Sequence, residues 1–115
     1  MSQHKFDLEE RTIIFSTKIL DFCRTITVNY LTENQIRQLI KSATSIGANY
    51  MEANGSDSKR DFRSKISICK KEAKETTYWL RILINLFPNK KDELKTLWTE
   101  AQELLLIFSA IIKNS

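Results

Sequence analysis

Between Phe62 and Phe87 the residues Phe62, Ile66, Cys69, Ala73, Thr76, Leu80, Leu83 and Phe87 recur at alternating steps of four and three. That spacing keeps one face of an α-helix turned toward a packed partner. The same rhythm predicts three further helices. Leu8, Thr12, Phe15, Ile19, Phe22 and Ile26 mark a first helix running from Leu8 to Asn29. Ile36, Leu39, Ala43, Ile46, Tyr50 and Ala53 mark a second that starts at Thr32, and Leu94, Trp98, Ala101, Leu105, Phe108 and Ile112 mark a fourth. The boundaries carry their own signals. Thr32 with Gln35 three residues on is spaced for a reciprocal cap of two free amides. Asn54-Gly55-Ser56 breaks the second helix from the third, Ser58 with Asp61 caps the third, Pro88 stops it, and Asn89 with Asp92 caps the fourth. Four helices joined by short connections run up, down, up, down, so the fold expected is an all-α antiparallel four-helix bundle, with residues 1–115 as a single domain.

Composition narrows this further. A chain of 115 residues buries roughly 65% of its unfolded surface as one domain. Two glycines and one proline are too few for the many turns of a β-protein. No uncharged apolar run approaches the roughly 18 residues of a membrane span, and the polar segment Met1 to Glu10 has no signal-peptide apolar core, so a cytoplasmic location is expected. Cys23 and Cys69 stand where small apolar residues would serve, at no metal-ligand spacing, and read as buried free thiols.

Charge directs attention to the third helix. The net charge of +4 lies wholly within residues 57–81, which hold eight basic and four acidic residues, whereas the segments before and after balance. At about 100° per residue, Lys59, Arg63, Lys70, Lys74 and Arg81 fall on one flank of the seam, and Asp57, Asp61, Glu72 and Glu75 on the other. Arg63, Lys70, Lys74 and Arg81 follow at steps of seven, four and seven, a row of positive potential able to track phosphates. The bland reading of such a row is a solvated face. A second reading concerns assembly. Ile68 and Trp79 lie on the acidic flank, and the apolar run Leu104 to Phe108 is wider than one stripe can hide, so Leu106 and Ile107 are expected to point outward. Exposed apolar side chains of this size mark a protein interface, so a homo-oligomer is expected, although a thick core with some exposed apolar surface accounts for the same residues.

Catalytic signals are weak. The single histidine, His4, falls in a terminal segment expected to fray, which removes the usual general base, and no glycine-rich phosphate loop or strained nucleophile turn is present. Glu100 with Glu103, and Glu52 with Glu72, lack the histidines of a di-metal set. No enzyme activity, no cofactor, no metal site and no small-molecule substrate is expected. Asn54-Gly55-Ser56 matches a glycosylation acceptor and reads, without secretion, as a turn.

A family resemblance rests on particular residues. Ser42-Ala43-Thr44-Ser45-Ile46-Gly47-Ala48-Asn49-Tyr50-Met51-Glu52-Ala53, then Ser58-Lys59-Arg60-Asp61-Phe62, Lys65-Ile66-Ser67-Ile68, Lys71-Glu72-Ala73-Lys74-Glu75-Thr76 and Tyr78-Trp79-Leu80-Arg81 resemble the bacterial four-helix-bundle proteins related to those encoded by intervening sequences in large-subunit ribosomal RNA genes. The likeness is close over residues 42–81 and loose over the whole helix order; Asn54-Gly55 departs from it only in the turn. It implies a small bundle that assembles as a ring, a pentamer, without known catalytic activity. A more distant likeness is to the accessory protein of diversity-generating retroelements, a basic ring that works with a reverse transcriptase and nucleic acid.

The motif residues Ser45, Asn49 and Glu52 also have a physical reading. Steps of four and three stack them beside the Ile46 and Tyr50 stripe, where polar groups either bond across helices to set register or face a neighbouring subunit. A buried pairing of Glu52 with a basic residue of the third helix is expected, with a ligand site as the functional alternative. The expectation is a non-enzymatic, oligomeric binding or scaffold protein whose partner is RNA or other nucleic acid, or else a protein-interaction module.

Overall fold

The structure, a computed structural model, describes the backbone of residues 3–114 and the side chains of residues 7–114. Four helices follow one another: α1 (Gln3–Arg24), α2 (Glu33–Asn54), α3 (Lys59–Leu86) and α4 (Lys91–Lys113), the last preceded by a 3₁₀ turn at Pro88–Lys90. They form the expected up-down-up-down antiparallel bundle, 44 Å long and 23 by 21 Å across. α3 alone accounts for the length, since its 28 residues rise about 42 Å.

The predicted seams are buried almost as read. Leu8, Thr12, Phe15, Ile19 and Phe22 of α1, all six named positions of α2, and Ile66, Cys69, Ala73, Thr76, Leu80 and Leu83 of α3 are buried, while Phe62 and Phe87 pack half-buried at its two ends. In α4 the dry positions are Leu94, Leu97, Ala101, Leu104 and Phe108, with Trp98, Leu105 and Ile112 half-buried beside them. The expected stripe was therefore displaced to one side of the Leu94-Ala101-Phe108 line. The run Leu104 to Phe108 offers two equally apolar flanks, and packing against the neighbouring helices chooses between them.

Four boundaries differ from expectation. α1 already covers Gln3, where a frayed segment was expected; the side chain of His4 lies outside the described residues. α1 also ends at Arg24 rather than Asn29, because the Thr25 amide and hydroxyl both bond the Phe22 carbonyl, at 2.9 and 2.7 Å, closing the helix early. Ile26 still packs against the core from the connection. The reciprocal cap at Thr32 does not form. Asn29 Oδ1 accepts the Leu31 and Thr32 amides at 2.9 and 3.2 Å, and Thr32 Oγ1 accepts the Asn29 amide at 3.1 Å. That turn places Thr32 at φ −106° and ψ −11°, outside the extended region a side-chain cap requires. At α4, Pro88 builds the 3₁₀ turn, so Asn89 is not the cap; Asp92 and Glu93 in the first turn complement the helix dipole instead. The Ser58 cap forms as read, its Oγ accepting the Asp61 amide at 3.0 Å.

α3 is the central strut, packed extensively against α2 and α4, whereas α1 leans on α2 and approaches α4 least closely. Gly47 allows the α1–α2 approach: a Cβ there would meet Thr12 Oγ1 at 2.9 Å and Thr12 Cβ at 3.0 Å. Across the wider α1–α4 gap stretches Arg11, whose Nε and Nη2 bond the two Glu100 oxygens at 2.7 and 2.8 Å while Nη2 also reaches Glu103 at 2.7 Å.

Candidate nucleic-acid interface

The basic row depends on α3 being unbroken. Ser58 starts it, no Gly or Pro interrupts Lys59–Leu86, and Phe87-Pro88 ends it. Burial of the Ile66 to Leu83 seam leaves the flank beside it turned to solvent, and Lys59, Arg63, Lys70, Lys74 and Arg81 are all exposed. At about 100° per residue the five lie within about 60° of one another, and Arg63 to Arg81 spans about 27 Å along the axis. Among the described residues Lys59, Lys70, Lys74 and Arg81 have no salt-bridge partner, so their charge stays directed at solvent.

The other flank of α3 is engaged. Lys65 Nζ meets Glu52 Oε1 at 2.6 Å, Glu75 Oε1 lies 3.4 Å from the Trp79 indole nitrogen, and burial together with Glu75 raises the Glu72 carboxyl above its ordinary value. Glu52 therefore pairs with α3 as expected, but at the surface: its side chain is 58% and that of Lys65 37% exposed. Ser45 and Asn49 do not bond across helices. The Ser45 hydroxyl donates to the Lys41 carbonyl at 2.6 Å and the Asn49 amide to the Ser45 carbonyl at 2.8 Å, both within α2. In the core a cross-helix polar contact is made instead by Ser42 of the family motif and Thr76 of the α3 seam, whose hydroxyl oxygens lie 2.9 Å apart.

Of the four apolar candidates, Leu106 is 68% exposed. Trp79 and Ile107 were expected outside but are half-buried against the core, and Ile68 is also half-buried. Ile107 turns inward because the α1–α4 gap admits it; with Leu8, Tyr50, Phe62 and Ile111 it lines a cleft of about 1070 Å³ at one end of the bundle, where Lys59 stands at the side.

In the sequence Tyr78 stands out only as part of the family motif Tyr78-Trp79-Leu80-Arg81. It is 57% exposed and lies four residues after Lys74 and three before Arg81, which on a helix means adjacent on the same face. That spacing is legible in the chain itself.

Among the described residues no group of three or more His, Cys, Asp or Glu side chains could hold a metal ion. Burial pushes the thiol of Cys23 up to about 11 and that of Cys69 up to about 12, and Cys69 Sγ donates to the Ile46 carbonyl at 3.4 Å. Neither is a thiolate near neutrality. No described helix is long and apolar enough to cross a membrane.

A small four-helix bundle with a basic ridge along its longest helix is the class these features define. The model of the 23S rRNA-intervening sequence protein family matches residues 5–110, and the chain belongs to that family. The crystal structure of a protein of unknown function from the S23 ribosomal protein family of Bacteroides thetaiotaomicron is similar, with 29% sequence identity, a TM-score of 0.78, and coverage of 91% of this chain and 97% of that one. No curated protein matches the chain.

Proposed function

We propose that this chain is a non-enzymatic, oligomeric binding or scaffold protein of the cytoplasm that holds RNA or another nucleic acid along α3. The observation that carries the reading is the row Lys59, Arg63, Lys70, Lys74 and Arg81, exposed together on one uninterrupted helix. Phosphate contact by the four residues from Arg63 to Arg81 would release condensed counterions, so log affinity should fall with log salt at a slope of about −3. Fluorescence anisotropy across a salt series measures this. Lys70→Glu with Lys74→Glu should abolish binding and leave the helical signal and oligomer size unchanged; binding retained by that double variant would refute the assignment.

Self-assembly through the exposed Leu106 and the partly exposed surfaces of Ile68, Trp79 and Ile107, with five copies as the family resemblance implies, completes the proposal. Light scattering coupled to size exclusion decides it: a mass near five chains supports the ring, and a monomer of 13.5 kDa defeats it. The second reading, a protein-interaction module without nucleic acid, draws on the exposure of Leu106 and would show as competition by one defined polypeptide rather than by any polyanion.

A further inference from the structure

We infer that Tyr78 is a stacking platform for an unpaired base, so that the nucleic acid taken by α3 is single-stranded at the end of the row formed by Lys74 and Arg81. The inference rests on the nucleic-acid reading of that row and adds the form of the ligand. Three observations place the ring. The ring is 57% exposed on an otherwise solvated helix surface. Lys74 and Arg81, without salt-bridge partners among the described residues, stand one turn before and one turn after it. The ring is also braced, because Tyr78 and Trp79 form a T-shaped pair with centroids 5.0 Å apart and planes at 74°, and Trp79 is itself held by the core and by Glu75.

An aromatic ring between two cations matches the chemistry of single-strand recognition, where bases stack on side-chain rings while the backbone follows positive charge. The closed stack of an A-form duplex offers no base face to a ring on a helix ridge. Bracing by Trp79 lowers the ordering cost, since the platform need not be immobilised when a base arrives. Core packing does not explain Tyr78, because the seam of α3 passes through Thr76, Leu80 and Leu83.

The test compares the full chain on a short single-stranded oligouridine and on an RNA duplex of equal length, by anisotropy at fixed salt. Tyr78→Ala should weaken single-strand binding roughly ten-fold, while its salt slope and its duplex affinity stay at the wild-type value. Tyr78→Phe should restore single-strand binding, and Tyr78→Leu, apolar without a π face, should not. Equal affinity of wild type and Tyr78→Ala for oligouridine, with a salt slope still dependent on Lys74 and Arg81, would overturn the platform and leave the basic row standing. Failure of the wild type to bind either RNA would remove both. Circular dichroism and thermal melting of Tyr78→Ala should match wild type, which separates lost stacking from lost fold.

Discussion

The hydroxyls of Ser42 and Thr76 meet 2.9 Å apart in the dry seam between α2 and α3. Both residues are fully buried, and each hydroxyl, with one proton to give, has an alternative acceptor on its own helix: the Glu72 carbonyl lies 2.8 Å from Thr76 Oγ1 and the Leu39 carbonyl 3.3 Å from Ser42 Oγ. A slip of α3 along α2 would break this contact while leaving the apolar seam apolar. The pair therefore helps select one register.

The two partners should not be equivalent. Ser42→Ala leaves Thr76 with its short bond to Glu72, whereas Thr76→Val leaves Ser42 only the long one. Thr76→Val should lower the unfolding free energy by about 1 kcal/mol and Ser42→Ala by less, with the double variant close to Thr76→Val alone. Urea titration of the four proteins gives the coupling directly. Additive losses would mean that the two hydroxyls do not interact.

Gly47→Ala sets two effects against each other. Alanine in a helix interior gains about 1 kcal/mol over glycine, but the new Cβ would sit 2.9 to 3.0 Å from Thr12, a buried β-branched side chain whose hydroxyl is bonded to the Glu9 carbonyl at 2.8 Å. Thr12 is itself buried, and overpacking costs about 1–3 kcal/mol. The steric term should win, so the melting temperature falls. A rise would show that α1 moves away from α2 without cost.

The thiols define an alkaline limit. Unfolded, both ionise near 9; folded, Cys23 holds its proton to about 11 and Cys69 to about 12. Below 9 both states are protonated and nothing is lost. Above it the unfolded chain gains by ionising, so stability falls as pH rises from 9 toward 11 and 12. Tyr50, also raised by burial, adds a loss of the same sign at higher pH. Urea midpoints should drop between about pH 8 and about pH 10.5, and Cys23→Ala with Cys69→Ala should flatten the early part of that fall. A thiol reagent at about pH 8 should label Cys23 slowly and Cys69 only on unfolding.

How far the chain could be read differs by element. The α2 and α3 seams were legible residue by residue because each helix has a narrow apolar stripe flanked by polar positions, so helical phase alone names the buried face. The α4 seam was not, because Leu104 to Phe108 is apolar on both sides of the true centre. The basic row was legible for the same reason as the α3 seam: phase on one long helix is local information. Glu52 was legible as a partner of α3, but its exposure was not, since the depth of a side chain at a helix flank depends on how closely the two helices approach.

What the sequence by itself determined is the set of four amphipathic helices, the Ser58 cap, the break at Asn54-Gly55 and the one-sided charge of α3. All of these follow from interactions within a few residues along the chain, where spacing is geometry. What only the tertiary structure decided is the choice of Leu97 and Leu104 for the α4 core, the Ser42–Thr76 contact, the tight Gly47–Thr12 approach and the wide α1–α4 gap bridged by Arg11. It also decided that Trp79 lies half against the core and braces Tyr78, leaving that ring exposed. Each depends on the distance and rotation between helices far apart in sequence, and those are set by the packing of all four together.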